Sequence, residues 1–237
     1  MDEVMQMPMD RSNPLRFFVL RVPFFLEPHY DKDASWHETN RERLERKWGG
    51  KASFAAQKQR HRLKERGQEV GIQHFNLDRL ASNTLASHRV VQWMTKLYGC
   101  VASEALYNEL NHNHFIEGMK LNDSSLLCQA ATTAGADRIA CDAFLASNEG
   151  IAEIEQTQVV LERLGISSIP TFLIGGKVII SGAVHSSELV RVFREIEKAG
   201  IGAPDTVFAD TLKIPNHMRQ STLPPPENDF SIRPASF

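Results

Sequence analysis

No C-x-x-C pair occurs in the 237 residues. The three cysteines, Cys100, Cys128 and Cys141, stand far apart, and an odd count excludes a fully paired disulfide framework. That usage fits a reducing compartment and sets the expectation of a cytoplasmic protein. Long apolar runs are missing too. None approaches the roughly 18 residues that a membrane helix needs. The opening MDEVMQMPMDRSNPL is acidic and rich in Met. It lacks a basic stretch followed by an apolar one, so it does not read as a secretory signal. Charge of one sign is also lacking: Lys and Arg number 27 against 29 Asp and Glu, for a net charge of −2. A chain so balanced is not built as a whole to seek nucleic acid or an anionic membrane. There is no internal repeat.

What is present is a core-forming composition, 42% hydrophobic, distributed in a definite order. Residues 16–26, RFFVLRVPFFL, are dense in β-branched and aromatic residues and read as a buried strand that ends at Pro23. Residues 38–66 are charged and helix-like, broken at Gly49-Gly50. Residues 83–98 carry Leu85, Val90, Trp93, Met94 and Leu97 at helical spacing and stop at Gly99. A further helix fits 101–116. Asp123 caps a helix over 124–134 and Asp137 a shorter one through Leu145. Residues 151–164 place Ile151, Ile154, Leu161 and Leu164 on one stripe, closed by Gly165. The pattern then changes. Thr171–Ile174 and Val178–Ser181 are β-type runs joined by Gly175-Gly176-Lys177, a hairpin signal. Ser186 can cap a last amphipathic helix ending at Gly200. Six of the eleven prolines fall in 201–237, so that stretch reads as a flexible tail outside the core.

Several residue groups invite a functional reading. Asn111-His112-Asn113-His114 offers two imidazoles, but i and i+2 on a helix point to different faces, and no metal site is expected. Residues 41–66 hold ten Lys and Arg against three acids. No aromatic stacking platform accompanies them, so they read as a solvated helical face and no nucleic acid is expected as partner. Cys128 and Cys141 read as small buried hydrophobes, whereas Cys100, after a glycine at a helix end, reads as exposed.

The stretch GISSIPTFLIGGKVIISG, residues 165–182, followed by an amphipathic helix, resembles the C-terminal half of a thioredoxin fold. With RVPFFLEP, ERLERKWGG, NTLASHRVVQW, FIEGMKLND and AFLASNEG in that order, the chain resembles the FrnE-type branch of the DsbA-like family from about Arg16 to Gly200. That family includes kappa-class glutathione transferases and 2-hydroxychromene-2-carboxylate isomerases. The resemblance implies an α/β, thioredoxin-like fold with a large α-helical insertion. It implies a cis bond before Pro170 and a loop, Ser168, Ile169 and Pro170, whose backbone pairs with an extended substrate. It also places Asn83 and His88 at the start of a helix facing the cleft. The substrate implied is a peptide or a small thiol, with no cofactor, although glutathione fits the family.

In the family the chemistry sits on a first strand and a C-x-x-C helix. Here the match begins at the second strand, so the expectation is a fold whose first strand and active-site helix are absent and which has no catalytic residue of its own. The domain expectation follows: a leader over 1–15, a thioredoxin-like domain from 16–37 and 160–200, a helical insertion over 38–159, and a Pro-rich flexible tail over 201–237. The function implied is that of a thiol–disulfide oxidoreductase, catalytically incomplete. The alternatives are a non-catalytic peptide- or thiol-binding protein and a glutathione-dependent isomerase or transferase. An open sheet edge in such a fold would recruit a second copy, giving a homo-oligomer.

Overall fold

The computed structural model describes residues 1–12, 14–69, 71–72, 74–200 and 207–220. In chain order the elements are α1 (Asp2–Gln6), β1 (Glu38–Thr39), α2 (Asn40–Trp48), α3 (Lys51–His61), α4 (Leu63–Glu69) and β2 (Leu80–Ala81). There follow α5 (Leu85–Asn111), a π-helical turn at His112–Ile116, α6 (Ser124–Thr133), α7 (Arg138–Ala146) and α8 (Ile151–Arg163). The chain continues through β3 (Thr171–Ile174), β4 (Val178–Ser181), α9 (Ser186–Ala199) and α10 (Val207–Thr211). Two antiparallel ladders are present among the described residues, β1 with β2 and β3 with β4.

The chain divides into two compact units. The first holds Met1–Leu26, Gln92–Ser103 and the described residues from Gly150 onward; the second holds Glu27–Val91 and Glu104–Glu149. Residues 92–103 and 150–159, expected within the helical insertion, thus group with the first unit.

In the second unit the local rules are easily read. Thr39 and Glu42 form a reciprocal capping box that starts α2, and Gly49 ends it in a left-handed conformation. Asp123 accepts from the backbone N–H of Ser125 and Leu126 at the start of α6, and Asp137 from that of Ala140 at the start of α7. Substituting Asp123 by Ala is expected to cost about 1 kcal/mol, read as a lower midpoint in a denaturant melt with unchanged slope.

Gly99 interrupts α5, with φ 86° and ψ 176°, where the sequence reading placed a helix end. The helix resumes at once, and that turns Cys100 inward. It is fully buried, not exposed as expected. Helix α9 begins one residue earlier than expected in its capping: His185, not Ser186, is the cap, its Nδ1 accepting from the N–H of Ser187. Its buried face carries Val192 and Phe193.

Three expectations for the first unit give way. Residues 14–25 are not a strand. The segment still buries its side chains: Leu20, Val22 and Phe24 pack against Val160, Leu161 and Phe208, and Phe18 joins Leu20 against Ala209, Leu212 and Ile214. A strand needs a ladder partner, and here side-chain amides take that place. Gln92 Nε2 donates to the Arg21 carbonyl at 2.6 Å and Gln158 Nε2 to that of Pro23 at 3.0 Å. The N-terminal residues do not stand apart as a leader: Val4 is fully buried, and the Met9 N–H donates to Glu197 Oε1 at 2.7 Å. Residues 207–220 do not belong to a tail outside the core, for Phe208, Ala209, Leu212 and Ile214 are buried. Proline count misled there, because 207–214 is an apolar helix-forming stretch between prolines. Residues 201–206 and 221–237, also assigned to the tail, lie outside the described residues.

Candidate functional site

Helix α8 ends at Arg163 with Leu164 as its C-cap, and Gly165 follows in a left-handed conformation, φ 68°. The chain then leaves the helix through Ile166, whose N–H donates to the Leu161 carbonyl at 2.9 Å. Ser168, Ile169 and Pro170 follow as an exposed loop, Ile169 being 50% accessible. The Ile169–Pro170 peptide bond is cis. The loop is held at both ends. Thr171 Oγ1 donates to the Ser168 carbonyl at 2.8 Å, and the Gly182 N–H donates to the Pro170 carbonyl at 2.8 Å.

Beyond the loop, β3 pairs with β4 in the register Phe172 with Ile180 and Leu173 with Ile179. Successive side chains on a strand face opposite ways. Leu173 therefore packs down on Val160, Leu161 and Phe208, while Phe172 is turned the other way and is exposed. Among the described residues no strand is paired with the second edge of β3. The first unit thus presents a held loop, an apolar Ile169 and Phe172, and a strand edge.

Asn83 and His88 lie in the second unit, at the start of α5. Asn83 is nearly buried, and both ends of its amide are used: Nδ2 donates to the Tyr30 carbonyl at 2.8 Å and Oδ1 accepts from the Leu85 N–H at 2.9 Å. The N-cap of α5 is Thr84, one residue on, so Asn83 is not the cap; it takes up the first N–H of the helix and ties that end to the 27–39 loop. It also lines a cleft of about 170 Å³ with Lys32, Arg89, Asn122 and Ser124. Asn122 Nδ2 donates to the Asp33 and Trp36 carbonyls, while its buried Oδ1 has no partner among the described residues. His88 is half-buried and does not line that cleft.

Arg89 beside it is the most heavily engaged side chain of the unit. Its guanidinium donates to the carbonyls of Ser147, Glu149, Phe144 and Leu145 at 2.7, 2.9, 3.0 and 3.4 Å. It also lies over the Phe144 ring, 4.9 Å from its centre. A lone arginine in a motif carries no signal that it will gather four carbonyls. That role appears only when α7 is folded beside α5.

The two imidazoles are placed differently from each other. His112 Nε2 stands 3.4 Å from Glu117. His114 Nδ1 donates to the Met119 carbonyl at 2.9 Å, and its Nε2 accepts from Arg79 Nε at 3.2 Å. Both ring nitrogens are thus committed to the neutral form. Burial above all, helped by the Arg79 charge and opposed by the Met119 carbonyl, lowers the His114 pKa to about 4.

This has a definite sign. The unfolded chain takes up a proton on His114 near pH 6.5 and the folded chain only near 4. The favourable term is therefore whole above about pH 6.5 and is lost as pH falls toward 4. It should be worth on the order of 2 kcal/mol. Melts from pH 7.5 to 4.5 should show the wild type losing more stability than His114→Asn over that window. Parallel losses would contradict it.

Cys128 on α6 and Cys141 on α7 are fully buried, as small hydrophobes would be, yet their Sγ atoms stand only 2.6 Å apart. The sequence signal was weak but present: each sits beside inward-facing residues, Leu127 and Ala131 on α6, Phe144 on α7. Among the described residues no group of three or more His, Cys, Asp or Glu is placed to hold a metal ion, and no helix is long and apolar enough to cross a membrane.

A helix leading through a held loop into an antiparallel hairpin and a final amphipathic helix, with a long helical block inserted before it, defines a thioredoxin-like α/β protein. The model of the DSBA-like thioredoxin domain matches residues 44–193, more than half of the chain. The chain belongs to that family, whose function type is thiol–disulfide oxidoreduction. No curated protein matches it.

Proposed function

We propose that this chain, read as a FrnE-type member of the family, binds an extended, thiol-bearing peptide along β3 and the Ser168–Pro170 loop, and does not by itself turn over disulfides as a dithiol enzyme does. The observation that carries the reading is the half-exposed Ile169 beside an edge of β3 that no described strand occupies. A peptide laid there gains backbone hydrogen bonds from the edge and apolar contacts with Ile169 and Phe172. A peptide is favoured over glutathione alone on size. The cleft near Asn83 is about 170 Å³, below the roughly 300–1,000 Å³ of pockets that enclose a whole small ligand. The same edge pairs with a second copy at high concentration, so peptide and self-association compete.

Turnover needs a thiolate with a partner cysteine at exchange distance and access to substrate. The sequence holds no C-x-x-C, and all three thiols are buried. Titration with a fluorescent cysteine-containing peptide should give saturable binding. Ile169→Asp should weaken it by about tenfold, because a carboxylate is placed against the apolar contact. In an insulin-reduction assay the rate should not exceed background. Absence of peptide binding, or glutathione-dependent isomerase or transferase turnover, would overturn the reading.

A further inference from the structure

We propose that Cys128 and Cys141 form a reversible disulfide that ties α6 to α7, with a low-molecular-weight disulfide as the oxidant. The inference is independent of the reading of the β3 edge.

The two sulfur atoms are 2.6 Å apart. Ordinary non-bonded contact keeps heavy atoms about 3.5–4.0 Å apart, whereas a disulfide brings its sulfurs to about 2.05 Å. The two side chains are thus aimed at each other from adjacent helices. Thiols that merely fill a core have no reason to meet head-on.

A second feature points the same way. Cys128 Sγ donates to Cys141 Sγ, and the carboxylate of Asp142, held by Arg138 at 3.0 Å, stands beside the Cys128 thiol. The Asp142 side chain is half-exposed. A proton leaving the buried Cys128 therefore has an acceptor that reaches solvent. Burial above all raises the pKa of both thiols, and the hydrogen bond from Cys128 partly offsets this at Cys141. Because Cys128 Sγ donates to Cys141 Sγ, the thiolate form of Cys141 has a donor facing it, and Cys141 is the sulfur that attacks.

The step balances as follows. Cys141, as thiolate, attacks one sulfur of the small disulfide RSSR. An S–Cys141 bond forms, the RS–SR bond breaks, and RS⁻ leaves and is protonated. Cys128 then passes its proton to Asp142 and attacks Cys141 Sγ, expelling the second RS⁻. Two thiols and one RSSR yield the Cys128–Cys141 disulfide and two RSH, and two electrons pass from the cysteines to the small disulfide. With both sulfurs buried and both thiols held protonated, the exchange is slow and stoichiometric.

The test is a thiol count on the full chain. After equilibration in oxidised glutathione, the denatured protein should offer one alkylatable cysteine, Cys100, in place of three. Peptide mapping should join the segment around Cys128 to that around Cys141. Reductant should restore three thiols, and the oxidised form should melt several degrees higher. Cys128→Ser and Cys141→Ser should each abolish the linkage, and Cys100→Ser should leave it intact. Refolding from denaturant in the same glutathione buffer removes access to the buried pair as a limit. Three alkylatable thiols after that refolding, glutathione left on Cys128 or Cys141, or a linkage to Cys100 would overturn the proposal. Asp142→Asn should slow formation at neutral pH and leave the final ratio of oxidised to reduced protein unchanged. An unaltered rate would remove Asp142 from the step.

Discussion

Arg89→Met is expected to destabilise the protein by about 3–5 kcal/mol and to lower its Tm by about 10 °C. Methionine keeps much of the aliphatic volume, so the loss isolates the guanidinium. That group, 6% accessible with the rest of its residue, serves the carbonyls of Phe144, Leu145, Ser147 and Glu149. These include the last carbonyls of α7, of which that of Phe144 also accepts from the Ser147 N–H and Oγ and so keeps partners when the guanidinium is lost. A hydrogen bond from a charged donor contributes about 1.5–3 kcal/mol, and a buried acceptor left without one costs a comparable amount. Four such bonds are not additive, which is why the expectation stops near 5 kcal/mol. Arg89→Lys should recover only part of the loss, because an ammonium is a point donor and cannot span four carbonyls in a fork. Thermal melting of both variants checks this. A Tm for Arg89→Met within about 2 °C of wild type would show that water replaces the guanidinium at little cost.

Phe208→Ala should cost about 3–5 kcal/mol, as a buried aromatic does when truncated. Phe208 is 6% accessible and closes a cluster with Val160 and Leu161 of α8. Leu20, Val22 and Phe24 of the irregular 14–25 segment pack on that cluster, as does Leu173 of β3. One ring therefore supports the segment that takes a strand's place and the strand whose edge is proposed to bind peptide. The denaturant midpoint should fall with little change in slope, and peptide binding should weaken through the loosened β3. A cost below about 0.5 kcal/mol, the range of ordinary surface substitutions, would mean that 207–220 contributes nothing to the core.

Much of the architecture was legible because its signals are local. Asp123 and Asp137 cap their helices, Gly99 breaks α5, Gly165 closes α8, and Gly175-Gly176-Lys177 turns the hairpin, each through an interaction spanning a few residues. The order of those elements, together with the motifs they carry, also pointed to the DSBA-like thioredoxin family. Of the candidate site, the Ser168–Pro170 loop could be located in the sequence, whereas the helix cap falls on Thr84 and not on Asn83.

Only the tertiary structure decided the rest, and the reason is the same in each case: the interaction joins residues distant in sequence. RFFVLRVPFFL has strand composition, but a strand exists only where a ladder partner stands beside it, and Gln92 and Gln158 supply amides instead. VFADTLKI lies among prolines, yet it is core because α8 offers an apolar face to bury it. Cys100 looked exposed next to a glycine, until α5 resumed past Gly99 and carried it inward. Cys128 and Cys141, thirteen positions apart, become neighbours only when α6 folds back on α7, and composition alone cannot state the distance between two sulfur atoms.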